Sequence, residues 1–307
     1  MLAYAARRLA AVLPTLLIII TVAFVVIRMA PGGPFDAEQS LPPEVKANLE
    51  RAYGLDQPLI RQYWRYLAGV AHGDFGPSMK YRDLPVSTLI AQGLPVSLTL
   101  GLCALLLALG VGLPLGTWAA LRRRSALDHG IMGFTVLGVA LPSFVTGPLL
   151  VLIFGVSLGW LPVAGLEGAD PRYLILPVVT LALPLVAYIA RLVRSSLIEV
   201  LQTDFIRAAR ARGLGERRVI WRHALPPAML PVVSYLGPAT AYLVTGSLVV
   251  ETVFGLPGSG RYLVEGAINR DYTLVMGMVI VYGLITLLCN LAADLIQGVF
   301  DPRIAHA

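Results

Sequence analysis

Gly155-Val156-Ser157-Leu158-Gly159 has the spelling of the sharp turn on which serine hydrolases mount their nucleophile. That chemistry needs an imidazole within hydrogen-bond reach of the hydroxyl. His72, His129, His223 and His306 all fall in polar connections or tails, and no His-Glu-x-x-His occurs. The match therefore reads as the glycine-rich end of an apolar run. The histidines show no metal-ligand spacing, and Cys103 and Cys289 sit inside apolar runs as small core residues with no disulfide or metal role. Pro257-Gly258-Ser259-Gly260 is glycine-rich, but no Gly-Lys-Ser/Thr follows it, and neither Lys46 nor Lys80 follows a glycine. The chain thus lacks the Walker loop that cradles nucleotide phosphates. No catalytic residue, cofactor or metal is expected, and the reading is a non-enzymatic one.

The elements that position these residues are membrane helices. Hydrophobic residues make up 57% of the chain and charged residues 14%, with a mean hydropathy of +0.75 and apolar runs of about 20 residues. The expected class is an all-α integral membrane protein with six transmembrane helices over 9–29, 95–121, 131–158, 174–190, 228–250 and 274–294. The first is a retained helix rather than a cleaved signal peptide, because it is long and Pro31 stands where small residues should mark cleavage. Ala108, Gly112 and Gly116 lie four apart in the second span and form a close-packing face. Pro142 and Pro148 interrupt the third; a simple kink is the favoured account, with Pro142-Ser143-Phe144 as a candidate pathway-lining piece.

The net charge of +6 comes from 22 arginines and two lysines, and most of the arginines stand at span ends. That placement explains the charge without a nucleic-acid partner. The tails and short connections of one face carry Arg7, Arg8, Arg122, Arg123, Arg124, Arg303 and eight arginines between 191 and 222. The short opposite loops carry only Arg172, Arg261 and Arg270. Such asymmetry puts both termini inside. An arginine at a helix centre costs about 2.5–3.5 kcal/mol, so burying eight in lipid would cost on the order of 20 kcal/mol. The balanced polar segment 31–94 is then exterior. Within it Pro43 opens a helix ending near Gly54. Asp56 and Pro58 cap and start another, with Leu59, Ile60, Tyr63, Trp64 and Leu67 on one face packed onto the membrane domain.

The cytoplasmic connection 191–226 is punctuated as helix. Asp204 is placed to cap a short helix from Phe205 to about Arg212, and Gly213 stands where a positive φ ends it. Phe205, Ala208, Ala209 and Leu214 give that helix a small-residue apolar face, which lets another backbone approach. A second helix starts near Glu216 and ends at Pro226-Pro227. The spelling Arg207-Ala208-Ala209, Gly213, His223, Leu225-Pro226 resembles the Glu-Ala-Ala loop of membrane subunits of bacterial ATP-binding-cassette importers. Arg207 replaces the acid and His223 the isoleucine, so no salt bridge of that acid carries over. The wording IRAARARGL and RHALPP is similar to the peptide-permease branch, as are LPPEV (Leu41 to Val45), HGDFGPS (His72 to Ser78) and GPLLVLIF (Gly147 to Phe154). The loop 251–272, with Glu251, Pro257, Gly258, Gly260 and Ala267-Ile268-Asn269-Arg270-Asp271-Tyr272, resembles the exterior loop of peptide and nickel permeases.

The resemblance runs from Arg7-Arg8 to the tail Asp301-Pro302-Arg303 and implies one importer transmembrane domain over 1–307. It implies two ATPase subunits, a homologous second permease subunit, an extracytoplasmic peptide-binding protein and a peptide substrate, in a bacterial inner membrane. Nickel, glutathione or an oligosaccharide is the alternative cargo within the family. Phe205, Arg207, Ala208, Ala209, Arg210, Arg212, Gly213 and Leu214 become ATPase-coupling residues. Arg270-Asp271 restrains the exterior loop before the sixth span. An ion-coupled secondary carrier is the rival from another class. Against it, Arg28, Glu251 and Asp294 all sit at span ends, and Asn290 with Asp294 reads as a structural pair.

Overall fold

The computed structural model describes residues 2–30, 32–35, 42–81, 84–168, 170–245 and 247–300. Pro31, Leu41 and the tail 301–303 lie outside the described residues. Helices follow in the order α1 (Leu2–Met29), α2 (Pro43–Ala52), α3 (Leu59–Ala71), α4 (Val86–Leu121), α5 (Ala126–Ala140) and α6 (Ser143–Leu150), which runs into a π-helical stretch, Val151–Ser157. Then come α7 (Arg172–Leu201), α8 (Asp204–Ala211), α9 (Glu216–Arg218), a second π-helical turn (Val219–Ala224), α10 (Leu225–Ala228), α11 (Leu230–Thr245), α12 (Leu248–Val253), α13 (Ser259–Ile268) and α14 (Tyr272–Phe300). Among the described residues no strand forms beyond one isolated bridge, Pro77 with Pro85.

Among the described residues, five helical segments are long and apolar enough to cross a membrane: 7–29, 86–121, 172–201, 230–253 and 272–298. A sixth is reached if α5 and α6 with its π extension count as one span; they meet at 106°. That angle corrects the expected simple kink. Leu141 and Pro142 leave the helical region (ψ 117° and 148°), and a proline cannot donate the bond that would bridge them. Other boundaries shift outward. The second span's helix begins at Val86 rather than 95, and α7 continues to Leu201, so the first third of the expected loop 191–226 is helix. The added turns are amphipathic, and burial of Val86, Leu89 and Ile90 in one and of Val193 and Leu197 in the other holds them helical.

The fold divides into two compact units, Met1–Ala10 with Leu98–Leu256 and Ile285–Ala307, and Ala11–Ser97 with Pro257–Leu284. In the first, α7 is central, touching α5, α6, α11 and α12. The expected close face on α4 is present. A Cβ on Gly112 would come within 3.0 Å of Ile189, and one on Gly116 would collide with the Ala190 carbonyl, so glycine sets how near α4 and α7 approach. Asp294 pairs with Arg8 at 3.0 Å, and Asn290 packs over Gly237. Both are structural contacts, but with different partners, so the expected Asn290–Asp294 pair is replaced by an ion pair to α1 and a packing contact to α11.

In the second unit Val86, Leu89 and Ile90 of α4 pack with Leu274, Met278 and Tyr282 of α14. Thr15 and Thr21 return their hydroxyls to the carbonyls four residues back on α1, the usual way to keep a hydroxyl satisfied in lipid. The end of α2 is as expected, with Gly54 at φ +63°. The start of α3 is not: Pro58 holds the cap position with no side-chain hydrogen bond, so Asp56 does not cap it. The apolar face of α3 is covered only in part, by Tyr63 packed edge-on against Phe24 and by half-buried Leu67. Leu59, Ile60 and Trp64 are each more than half exposed.

Candidate functional site

Residues 203–228 fold back on themselves as a helical hairpin. Thr203, extended at φ −72° and ψ 156°, is the cap residue of α8, and its carbonyl accepts from the Arg207 amide at 3.2 Å. Asp204, expected as the cap, instead lies in the first turn, where its carboxylate suits the helix dipole and pairs with Arg207. Gly213 ends the helix at φ +78°, with its amide on the Arg210 carbonyl at 2.9 Å. Any other residue there would be strained. Arg210 then reaches across the turn and holds Glu216 through Nε at 2.7 Å and Nη2 at 3.2 Å.

The two faces of α8 differ from expectation. Ile206 and Ala209 point inward against Ala120, Leu197, Val219, Ala224 and Ala228, with Leu214 packed beside them. Phe205, Arg207, Ala208, Arg210 and Arg212 stay exposed. Ala209 and Leu214 therefore anchor the hairpin, and the small-residue face sought for a partner is reduced to Phe205 and Ala208. Beside it, Gly213, Leu214, Gly215, Arg217, Arg218 and Trp221 line an open basic depression.

The expected stop at Pro226-Pro227 is also corrected. The wider π turn at 219–224 comes first, and the prolines occupy the first turn of α10, where no amide donor is required. Helical structure thus continues through them towards α11.

At the base of this hairpin the structure shows a pair that the sequence reading missed. Arg194 donates from Nε to Asp128 Oδ1 at 2.5 Å and from Nη2 to Oδ2 at 2.8 Å. The Arg124 amide adds a bond to Oδ2 at 2.9 Å, with Arg124 at φ +65°. Asp128 is buried, and its own amide is capped by Ser125 Oγ at 3.3 Å. The available signal was the Ser125-x-x-Asp128 spacing of a capping box directly after three arginines.

The 251–272 segment is not an open loop. Ser259–Ile268 is helix α13, with Gly258 extended at its cap position. Glu251 ends in α12 of the first unit, fully buried, and accepts from Ser247 Oγ. Pro257, Gly258, Gly260, Arg270 and Asp271 belong to the second unit. There Ser259 bonds Ser97 Oγ through its amide (2.9 Å) and hydroxyl (2.8 Å) and meets Tyr282 OH at 3.0 Å. Gly260 is buried at the start of α13.

Arg270, at φ +56°, lays its guanidinium against Gly32. Asp271 is fully buried at the start of α14. One carboxylate oxygen accepts from Leu274 N and Thr273 Oγ1, each at 3.0 Å. The other accepts from Ser78 Oγ, Met79 N (3.0 Å) and Lys80 N (3.2 Å). It therefore caps α14 and fixes the end of the His72–Ser78 stretch together.

Next to this clamp Tyr81 donates to Glu265, which Arg261 also holds at 2.6 Å. Burial, then the Glu265 hydrogen bond, push the Tyr81 hydroxyl up to about 12. Burial alone would raise Glu265, but the bonds from Tyr81 and Arg261 more than offset it and hold its carboxyl below the usual range.

Ser157 ends the first π stretch, and His72 and His129 each bond a carbonyl four residues back on their own helix at 2.7 Å. Among the described residues no three of His, Cys, Asp and Glu converge. What is built is two braced helical connections, each locked by a buried carboxylate, on membrane helices.

Comparison with known proteins decides the family. Residues 112–306 match the family described as binding-protein-dependent transport system inner membrane component, and residues 1–100 match its N-terminal membrane component. The chain belongs to this family. It is accordingly an inner-membrane transport component. Over 306 residues, with all of both chains covered, it is 50% identical to the oligopeptide transport system permease protein OppB of Haemophilus influenzae and to that of Escherichia coli K12. It is 42% identical to the dipeptide transport system permease protein DppB of Bacillus subtilis, over 98% of this chain and 97% of the other. Among solved structures, the inward-facing MetNI methionine ABC transporter overlaps 69% of this chain and 96% of its own at a TM-score of 0.55 and 21% identity, which shows a shared fold.

Proposed function

We propose that this chain is the permease subunit of an ATP-driven importer and forms half of the pathway for oligopeptides or dipeptides across the cytoplasmic membrane. The observation that carries the reading is the hairpin at 203–228. Its inner face is packed, its turn is braced by Arg210 and Glu216, and its outer face presents Phe205, Ala208 and exposed arginines. Such a rigid knob transmits force to whatever seats on it. With no nucleotide-binding loop in the sequence, the motor is a separate polypeptide. The reading therefore includes two ATPase subunits, one of them docked on this knob, a homologous second permease subunit across the pathway, and a peptide-binding protein at the opposite face. It also takes α5 with α6 as one broken span, which gives six spans, both termini inside and 251–272 outside. The peptide class rests on full-length likeness to OppB and DppB proteins; nickel, glutathione or oligosaccharide cargo is the alternative inside the family.

In this scheme ATP binding draws the ATPase subunits together, the hairpin moves with them, and α7 and α11 carry the motion into the membrane. Copurification from native membranes tests it: two ATPases and a sister permease are the expected companions. A complete complex whose ATP hydrolysis ignores loaded binding protein would contradict it.

Buried Glu251, beside Ser247 in the 230–253 span, favours a second reading as an ion-coupled carrier. Uptake by this chain alone, driven by a proton gradient and abolished by Glu251→Gln, would establish that reading instead.

A further inference from the structure

The second unit contains a cavity of about 320 Å³ at the end of α1, closed by α3, the 74–79 turn and the start of α14. Among the described residues, three buried polar atoms in its wall find no hydrogen-bond partner: Arg28 Nε, Gln62 Oε1 and Tyr66 OH. Buried polar atoms are nearly always satisfied, so three together mark a place where something else binds. Gln62 is only 4% exposed, and its amide nitrogen is already committed to the carbonyls of Leu55 and Gln57. Burial raises the Tyr66 hydroxyl, which keeps it a neutral donor.

The Arg28 guanidinium lies over the rings of Phe24 (5.4 Å) and Tyr272 (5.1 Å), and the charged neighbour it faces is another cation, Arg65. Arg65 is held by the Tyr53 carbonyl. Asp74, the carboxylate in the wall, takes the Gly76 amide at 2.8 Å to close its own turn. Among the described lining residues, two guanidiniums against one carboxylate make the cavity electropositive and suited to an anion.

Beside the cavity, and sharing Phe24 and Arg28 with it, runs an apolar groove of about 470 Å³ between α1 and α3. Its polar atoms in Thr21 and Tyr63 bond each other at 2.7 Å. Val25, Met29, Leu59 and Ile60 line it and remain exposed, continuing the exposed face of a membrane-crossing helix. An anion site sharing Phe24 and Arg28 with an apolar groove at the end of a span has the two chemistries of one amphiphile. We propose that this cavity holds the headgroup phosphate of an anionic phospholipid, with an acyl chain along the groove. Lipid bound there seats α3 on the membrane surface and completes the wall between α1 and α14.

The test uses the full-length chain in nanodiscs of phosphatidylcholine with a minority of phosphatidylglycerol. Spin-labelled versions of each lipid report the motionally restricted population. The expected result is preferential restriction of phosphatidylglycerol, falling about fivefold relative to phosphatidylcholine in Arg28→Gln and preserved in Arg28→Lys. Excess inorganic phosphate should leave it unchanged. Ile60→Asp, at an exposed position, should release both lipids while the protein melts as wild type does in detergent. Equal restriction of the two lipids, or unaltered preference in Arg28→Gln, overturns the proposal. So does displacement by inorganic phosphate, which would mean a soluble-anion site. Crosslinking of residue 60 to another polypeptide in the assembled transporter would also overturn it, since the groove would then be a subunit contact.

Discussion

Arg194 grips Asp128 with both arms of its guanidinium, at 2.5 and 2.8 Å, and so ties the start of α5 to the stretch of α7 that leads into the 203–228 hairpin. A pair of this kind is costly to break from one side, because it leaves a buried charge alone. Asp128→Asn or Arg194→Gln should each lower stability by about 2 kcal/mol, below the roughly 3–5 kcal/mol of fully buried pairs because Arg194 keeps some contact with solvent. The double variant should lose less than the sum, read from unfolding midpoints in detergent. Strict additivity would mean that the pair contributes no coupling.

The turn at Gly213 supplies a second expectation. Gly213→Ala forces a Cβ into φ +78° and should cost about 1 kcal/mol while leaving α8 folded. Gly213→Pro cannot adopt a positive φ at all and should abolish uptake with the protein still inserted. Substrate uptake alongside membrane content measures both.

Phe205 and Ala208 separate docking from folding. Both are exposed, so Phe205→Ala and Ala208→Trp should melt within about 0.5 kcal/mol of wild type, as surface changes do. Substrate-stimulated ATP hydrolysis by the assembled transporter should nonetheless fall at least tenfold. Ala209→Trp is a poorer probe, because it overpacks the cluster around Ile206 and should unfold the hairpin itself.

Asp271 holds the 78–80 segment and caps α14 through five hydrogen bonds. Asp271→Ala strands their donors and should cost about 3 kcal/mol. Hydrogen exchange should speed up first at Met79 and Lys80.

The Tyr81–Glu265 contact gives a pH signature. Glu265 is depressed, so its contribution is present above the ordinary carboxylate range and is lost as pH falls through its lowered value. Tyr81 is raised, so its contribution is full below the ordinary tyrosine value near 10 and is lost as pH rises through about 12. The difference in tyrosinate absorbance between wild type and Tyr81→Phe should show one late-titrating tyrosine, and Glu265→Gln should move it earlier.

The spans were legible because lipid makes hydropathy decisive, and the small-residue face of α4 because glycine and alanine at four-residue spacing have few other uses. The hairpin was legible in outline from Gly213 and its charges, yet its inward and outward faces were exchanged in part. Ala209 and Ala208 are chemically identical, and only the tertiary position of Ala120 and Val219 decides which is covered. Local propensity also could not foresee the 106° break, since proline specifies a missing donor and not the angle that neighbours accept. Asp128 with Arg194 and Ser78 with Asp271 are separated by 66 and 193 positions. A single sequence contains no record of which distant partners meet.

If α8 is the seat of a separate ATPase, its outer face lies within crosslinking reach of that subunit. With Cys103 and Cys289 replaced and cysteine placed at position 208, a short thiol crosslinker should join this chain to an ATPase subunit, in a yield that changes with bound nucleotide. No such product in an active transporter, or labelling of that cysteine by a membrane-impermeant reagent from outside intact cells, would contradict it.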